Sequence, residues 1–96
     1  MDYMKSSDKF RLELILRTSR MANNVTKANS YIQLIENGAP EWIYRDEIDK
    51  LLRQTKDDNE WVYQHQVQLM LICPACWLKV YPKVMELRND LKELGY

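Results

Sequence analysis

The chain has 96 residues, and its 14 lysine and arginine side chains balance 14 aspartate and glutamate side chains. Balanced charge argues against a dedicated nucleic-acid or membrane-surface binder, which usually carries a basic excess. Two glycines and three prolines are too few for the turns of an all-β fold. We therefore expect one all-α domain over residues 1–96, with residues 1–7 as a flexible lead-in and three to four antiparallel helices in a bundle or hairpin.

The first predicted helix begins near Ser7 or Asp8, either of which can cap a first turn, and ends at Gly38. Apolar and small residues recur along it in steps of four and three, the spacing of a heptad seam that faces another helix. The polar pair Asn23–Asn24 competes for helical hydrogen bonds, so the helix could break there. The seam consists of Leu14, Thr18, Met21, Val25, Ala28, Ile32 and Ile35.

A second helix is predicted to begin at Pro40–Glu41, because proline suits a first turn and a carboxylate suits the positive helix end. The stretch Asp57–Glu60 has capping-box spacing, which predicts a turn followed by the start of a third helix. The third helix is expected to carry Trp61 and His65 and to end or kink at Pro74.

The last predicted helix reaches about Leu94 and ends at Gly95. Interior proline removes a backbone bond and clashes with the preceding turn, so we expect kinks at Pro74 and Pro82. The first and last helices are thus both long, and their seams could pair within one chain or between the chains of a homodimer. The seam of the last helix is Trp77, Val80, Val84, Leu87, Leu91 and Leu94.

The motif Cys73-Pro74-Ala75-Cys76 is the part of the chain that looks most like a chemical site. Over these four residues it resembles the CPxC of thioredoxin-like oxidoreductases, which implies a redox pair, but that fold needs flanking strands. Two cysteines at this spacing are also half of a zinc site, which His65 could extend across a kink. We expect the third alternative, in which Cys73 and Cys76 are small core residues with reduced thiols and no metal or cofactor.

Catalytic signatures are missing from the sequence, which has no P-loop, no glycine-rich dinucleotide turn, no HExxH and no triad pattern. The single histidine, His65, lies between Gln64 and Gln66, which is typical of a surface or boundary position. We therefore expect a protein without enzymatic activity.

A cytoplasmic location is expected because the polar N-terminus lacks the apolar region of a signal peptide. The longest apolar run, over residues 69–78, is about half the ~20 residues that a membrane span needs, so no membrane association is predicted.

A basic and polar face is predicted on the first helix, where Arg17, Arg20, Asn24 and Lys27 follow one another in steps of three and four. Such side chains supply most contacts to phosphates, so nucleic-acid binding is the alternative function. Three cations are fewer than the 6–10 phosphates that a strong DNA binder neutralises.

The aromatic residues are numerous for so small a chain, and exposed Trp and Tyr carry much of the energy at protein interfaces. Our leading hypothesis is a helical protein-protein interaction factor that docks on a larger protein or complex. We expect it to be an accessory or inhibitory factor of the kind that phages and mobile elements carry. The expected contact residues are Trp42, Tyr44, Tyr63 and Tyr81, together with the stretch from Arg17 to Tyr31.

Overall fold

The structure, a computed structural model, describes residues 6–96 and, apart from Ser7, their side chains. It contains α1 (Ser6–Glu36), α2 (Glu41–Gln64), α3 (Gln66–Ile72) and α4 (Pro74–Glu93), and no strand occurs within residues 6–96. The all-α prediction is therefore confirmed. Residues 6 and 7 are helical rather than part of a flexible lead-in, and the rest of that predicted segment lies outside the described residues.

α1 is one continuous helix, so the long first helix is confirmed and the break considered at Asn23–Asn24 does not occur. The side chain of Asn24 is buried and donates a hydrogen bond to Oε1 of Gln54 on α2 at 2.7 Å, so it does not compete for the backbone of its own helix. Gly38 follows the end of α1 with a φ of +106°, which confirms the predicted stop. The heptad seam is confirmed, because all seven of its residues are buried or half-buried.

α2 runs straight through Asp57–Glu60, so the turn predicted there is wrong. Asp58 and Asn59 are buried and in phase with the apolar core face of the helix, and both bond to neighbouring helices rather than capping a new one. The helix ends instead at Gln64, with His65 as its C-cap. Backbone bonds from His65 to Trp61 and from Leu69 to His65 carry the helical pattern into α3.

Pro74 separates α3 from α4, as predicted, and it is the first residue of α4 with Cys73 as the N-cap. Pro82 lies inside α4, and the helix continues past it. Pro82 is exposed, so water can reach the Leu78 carbonyl that loses its helical donor. The seam of α4 is confirmed except at Leu94, which is exposed because the helix has already ended at Glu93.

α2 packs against both α1 and α4. Both run antiparallel to α2, because the contacts along each pair ascend in one helix and descend in the other. Two core clusters join them. One is formed around Ala28, Leu51, Leu52 and Leu91, and the other around Met21, Val62 and Val84. The molecule is 18 Å thick in its shortest dimension and has a radius of gyration of 15.7 Å, against about 12.5 Å for a compact domain of this length. The large radius of gyration reflects the long helices, which make the molecule elongated. The predicted bundle is confirmed, because α1, α2 and α4 each contribute residues to both core clusters.

Candidate interaction groove

An apolar groove runs between α1 and α4. It consists of two hollows with volumes of 490 Å³ and 350 Å³, which share Val25, Leu87 and Asp90 and are therefore continuous. The groove follows residues 18–32 of α1 and residues 79–93 of α4, and it extends to Leu94 just beyond that helix. At 1.5 Å per residue, the two walls are about 21 Å and about 22 Å long. The antiparallel packing of both helices on α2 makes α1 and α4 parallel, so the two walls run side by side.

The two walls of the groove differ in charge. The α1 wall presents Thr18, Met21, Ala22, Val25, Ala28, Asn29 and Ile32, none of which is ionisable. The rim of α4 carries Lys79 and Lys83 in its first half and then Glu86, Asp90 and Glu93. The groove thus combines an apolar interior with one rim that changes from basic to acidic along its length.

The basic face predicted on α1 is partly occupied within the molecule. Arg17 Nη1 lies 3.0 Å from Asp58 Oδ1, and Arg20 holds both oxygens of the same carboxylate. Arg17 Nε also donates a hydrogen bond to Glu13 Oε1 at 2.8 Å. The bonds to Glu13 and Asp58 raise the pKa of the Arg17 guanidinium. The hydrogen bonds to Asp58 raise the pKa of Arg20 in the same way. Of the three cations proposed for nucleic-acid contact, Lys27 is exposed, whereas both arginines form ion pairs with Asp58 on α2.

The four predicted interface aromatics do not form one patch. Trp42 is 75% exposed near the start of α2, beside Tyr44, which is half-buried and stacked on Tyr31 with ring centroids 5.1 Å apart. Tyr63 lies 21 residues further along α2, about 31 Å away, and Tyr81 is on α4. A partner that contacts all four would therefore have to span this length of α2.

Tyr63 takes part in a group of side-chain contacts that joins α2 to α4. The guanidinium of Arg88 lies over its ring at 4.0 Å and forms an ion pair with Glu60. The hydrogen bond from Arg88 lowers the pKa of the Glu60 carboxyl. Tyr81 packs on the buried Trp77, with ring centroids 4.9 Å apart, and keeps part of its ring in solvent.

The two cysteines are joined in a disulfide between Cys73 and Cys76, so the expectation of reduced thiols is wrong. Their Cα atoms are 5.2 Å apart because one residue caps α4 and the other lies in its first turn. Neither sulfur is available as the thiolate that zinc requires. His65 Nδ1 lies 2.6 Å from the Trp61 carbonyl, so this nitrogen carries the proton and donates. No group of three His, Cys, Asp or Glu side chains able to hold a metal occurs within residues 6–96.

Sequence reasoning missed the groove and the buried carboxylate for different reasons. Asp58 stands in register with Leu51, Thr55 and Val62, at steps of four, three and four. A charged residue at a position whose spacing places it in the core predicts a buried ion pair. The sequence therefore contained a signal for the burial of this carboxylate. The groove has no local signal, because it depends on the spacing between α1 and α4.

Comparison with known proteins identifies no relative, since no family model, curated protein or solved structure matches the chain. No helix in residues 6–96 has the length and hydropathy to cross a membrane. The geometry of the groove and of the disulfide is therefore the basis for functional inference.

Proposed function

We propose that this protein is a non-enzymatic interaction module that binds one amphipathic helix of a larger protein in the groove between α1 and α4. The observation that carries the proposal is the groove itself, an apolar channel bounded by two parallel helices that line it over similar lengths. Helices recognised by such grooves bury apolar residues at positions i, i+3, i+4 and i+7. A helix of four turns, about 15 residues, has the length of these walls.

The charges on the α4 rim define the partner. Lys79 and Lys83 face one half of the groove, and Glu86 and Asp90 face the other. A helix with acidic residues beside the two lysines and basic residues beside the two acids is complementary to both halves. A nucleic-acid backbone is complementary to the first half and repelled by the second, which disfavours the alternative function.

A second copy of the chain fits the groove poorly. The outward face of α1 begins with the exposed Leu12 and Leu16 but continues through Ser19, Asn23 and Ser30. A homodimer that inserts this face would bury polar side chains against an apolar interior, which is unfavourable without hydrogen-bond partners. The polar face of α1 thus favours a different chain as the partner.

A displayed library of helical peptides about 15 residues long, with fixed apolar positions and randomised charges, tests the proposal. We expect enriched peptides to separate acidic from basic residues along their length. They should bind at least about ten-fold more weakly to an Ala22→Glu variant, because Ala22 is exposed and lines the groove.

The matched control is Asn23→Glu, which adds the same charge one residue away on the exposed outer face of α1. Equal loss of binding in both variants would overturn the groove as the site, and so would the failure to enrich any peptide. Self-association seen by sedimentation, and abolished by Ala22→Glu, would favour the homodimer instead. The cytoplasmic location and the phage-type accessory or inhibitory role stay predictions from the sequence.

A further inference from the structure

A second candidate site lies where α3 meets α4, away from the interior of the groove. The disulfide joins Cys73, the N-cap of α4, to Cys76 in the first turn, and Pro74 is the first helical residue between them. We propose that this disulfide is reversible and reactive, and that it oxidises pairs of cysteine thiols on another protein by thiol–disulfide exchange. The inference does not depend on what binds in the groove.

The position of Cys73 makes it a good leaving group. Its Sγ accepts a hydrogen bond from the backbone N–H of Cys76 at 3.3 Å. It also lies at the positive end of a helix of 20 residues, where negative charge is stabilised. Exchange is faster when the departing sulfur is a stabilised thiolate. The first step of exchange is therefore favoured when Cys73 is released.

The surroundings of Cys76 allow a protein thiol to approach. Cys76 is exposed whereas Cys73 is half-buried, and the neighbouring Pro74 and Ala75 are also exposed. Exchange requires access to the sulfur that is attacked. Cys76 is therefore the expected point of attack, and Cys73 the leaving sulfur.

The surface around the disulfide suits an uncharged or apolar peptide segment. No Asp, Glu, Lys or Arg lies between Glu60 and Lys79 in a chain in which such residues make up 29%. Leu71 and Leu78, on either side of the disulfide in sequence, are 79% and 75% exposed. Apolar side chains this exposed offer a substrate segment contact area beside the reactive sulfur.

The fold does not need the disulfide as a staple. Leu69 and Trp77, on either side of it, are buried in the molecule and anchor α3 and α4. The backbone bonds from Cys73 to Leu69 and from Trp77 to Cys73 span the junction independently of the sulfurs. A disulfide that closes so short a loop also stabilises less than one that closes a long loop. Opening it should therefore leave the helices in place.

The chemistry balances without another reactant. A substrate thiolate attacks Sγ of Cys76, the bond between the two protein sulfurs breaks, and Cys73 leaves as a thiolate. The second substrate thiolate then attacks the substrate sulfur of the mixed disulfide and releases Cys76. Two electrons and two protons pass from the substrate dithiol to the protein, which ends with two thiols while the substrate gains a disulfide.

Reaction of the oxidised protein with a synthetic monothiol peptide, quenched by acid and mapped by mass spectrometry, tests the point of attack. We expect the mixed disulfide on Cys76. A mixed disulfide mainly on Cys73, or no reaction under native conditions, would overturn the proposal. Glutathione should open the disulfide and oxidised glutathione should re-form it, with the same far-UV circular dichroism in both states. Loss of helix on reduction would identify a structural staple and also overturn the proposal.

Two single-cysteine variants test the role of the helix end. In Cys76→Ser the remaining Cys73 should react with iodoacetamide at mildly acidic pH at least about ten-fold faster than Cys76 does in Cys73→Ser. The pH dependence of each rate is the quantity to compare, because Cys73 is half-buried and Cys76 is exposed. Identical pH profiles of alkylation would show that α4 does not stabilise the Cys73 thiolate.

Discussion

Arg20 binds both oxygens of Asp58, with Nε 2.7 Å from Oδ2 and Nη2 2.5 Å from Oδ1. Asp58 has no solvent-exposed surface, and Arg17 adds a third bond from the preceding turn of α1. A planar guanidinium satisfies a carboxylate in this two-bonded arrangement, which fixes both distance and direction. The pair therefore sets how α1 lies against α2, and it places the α1 wall of the groove.

Removing both arginines should destabilise the fold more than removing the carboxylate. The double variant Arg17→Ala/Arg20→Ala leaves the charge of Asp58 buried without a cation, which costs about 3 kcal/mol. Asp58→Ala should cost about 1–2 kcal/mol, because the released arginines are partly exposed and can be hydrated. Denaturant unfolding followed by circular dichroism measures both free energies. Adding Asp58→Ala to the double variant should restore stability, and a further loss would contradict the assignment.

Asn59→Ala should weaken the packing of α4 on α2. The side-chain amide of Asn59 is buried and donates to the backbone carbonyl of Val84 at 3.0 Å. Loss of this bond, together with the small cavity, should lower the free energy of unfolding by about 1–2 kcal/mol. The exposed Asn89 on α4 provides the control, since Asn89→Ala should change stability by less than about 0.5 kcal/mol. Similar losses in the two variants would mean that the bond contributes nothing specific.

The contact between Tyr96 and Asp49 should make stability depend on pH at both extremes. The Tyr96 hydroxyl donates to Asp49 at 2.5 Å, which lowers the pKa of the carboxyl, with Arg53 as a second donor, and raises the pKa of the phenol. Because the pKa of Asp49 is lower in the folded than in the unfolded state, the carboxylate stabilises the fold at pH values above its unfolded pKa of about 4. This stabilisation is lost as the pH falls through the pKa of the folded state. Because the pKa of Tyr96 is higher in the folded than in the unfolded state, the phenol stabilises the fold at pH values below its unfolded pKa of about 10. This stabilisation is lost as the pH rises through the pKa of the folded state.

Tyr96→Phe isolates this contribution, because it removes the hydroxyl and keeps the ring. The difference in unfolding free energy between wild type and variant should be largest near neutral pH and shrink toward both acid and alkali. Measurement by denaturant titration across the pH range gives the difference directly. A constant difference at all pH values would show that the hydroxyl acts through packing rather than through the carboxylate.

Gly38→Ala should be destabilising although there is room for the added methyl group. No atom lies within 4 Å of the position its Cβ would take, so the cost comes from the φ of +106° rather than from a clash. A non-glycine residue in this region costs about 1 kcal/mol. Gly38→Asn should cost less, because asparagine tolerates the left-handed conformation. Thermal or denaturant unfolding of both variants tests the order, and equal losses would argue against a backbone origin.

The wrong boundary at Asp57–Glu60 and the break considered at Asn23–Asn24 both came from residues whose local and tertiary partners compete. Asn24 and the stretch Asp57–Glu60 have side chains that cap helices or form turns when only their neighbours in sequence are considered. In the fold, Asn24 bonds to Gln54, and Asp58 bonds to two arginines on α1. These distant partners outweigh the local alternatives, and a single sequence without the fold does not name them.

The helical class, the end of α1 at Gly38, the boundary at Pro74 and the apolar seams follow from the sequence because each depends on a residue and its near neighbours. Glycine adopts positive φ, proline lacks a backbone donor, and apolar spacing identifies a buried face whatever it packs against. The groove, the ion pair at Asp58 and the contact of Tyr96 with Asp49 required the three-dimensional arrangement. Each of these features joins helices that are far apart in the chain, so their positions depend on how α1 and α4 pack on α2.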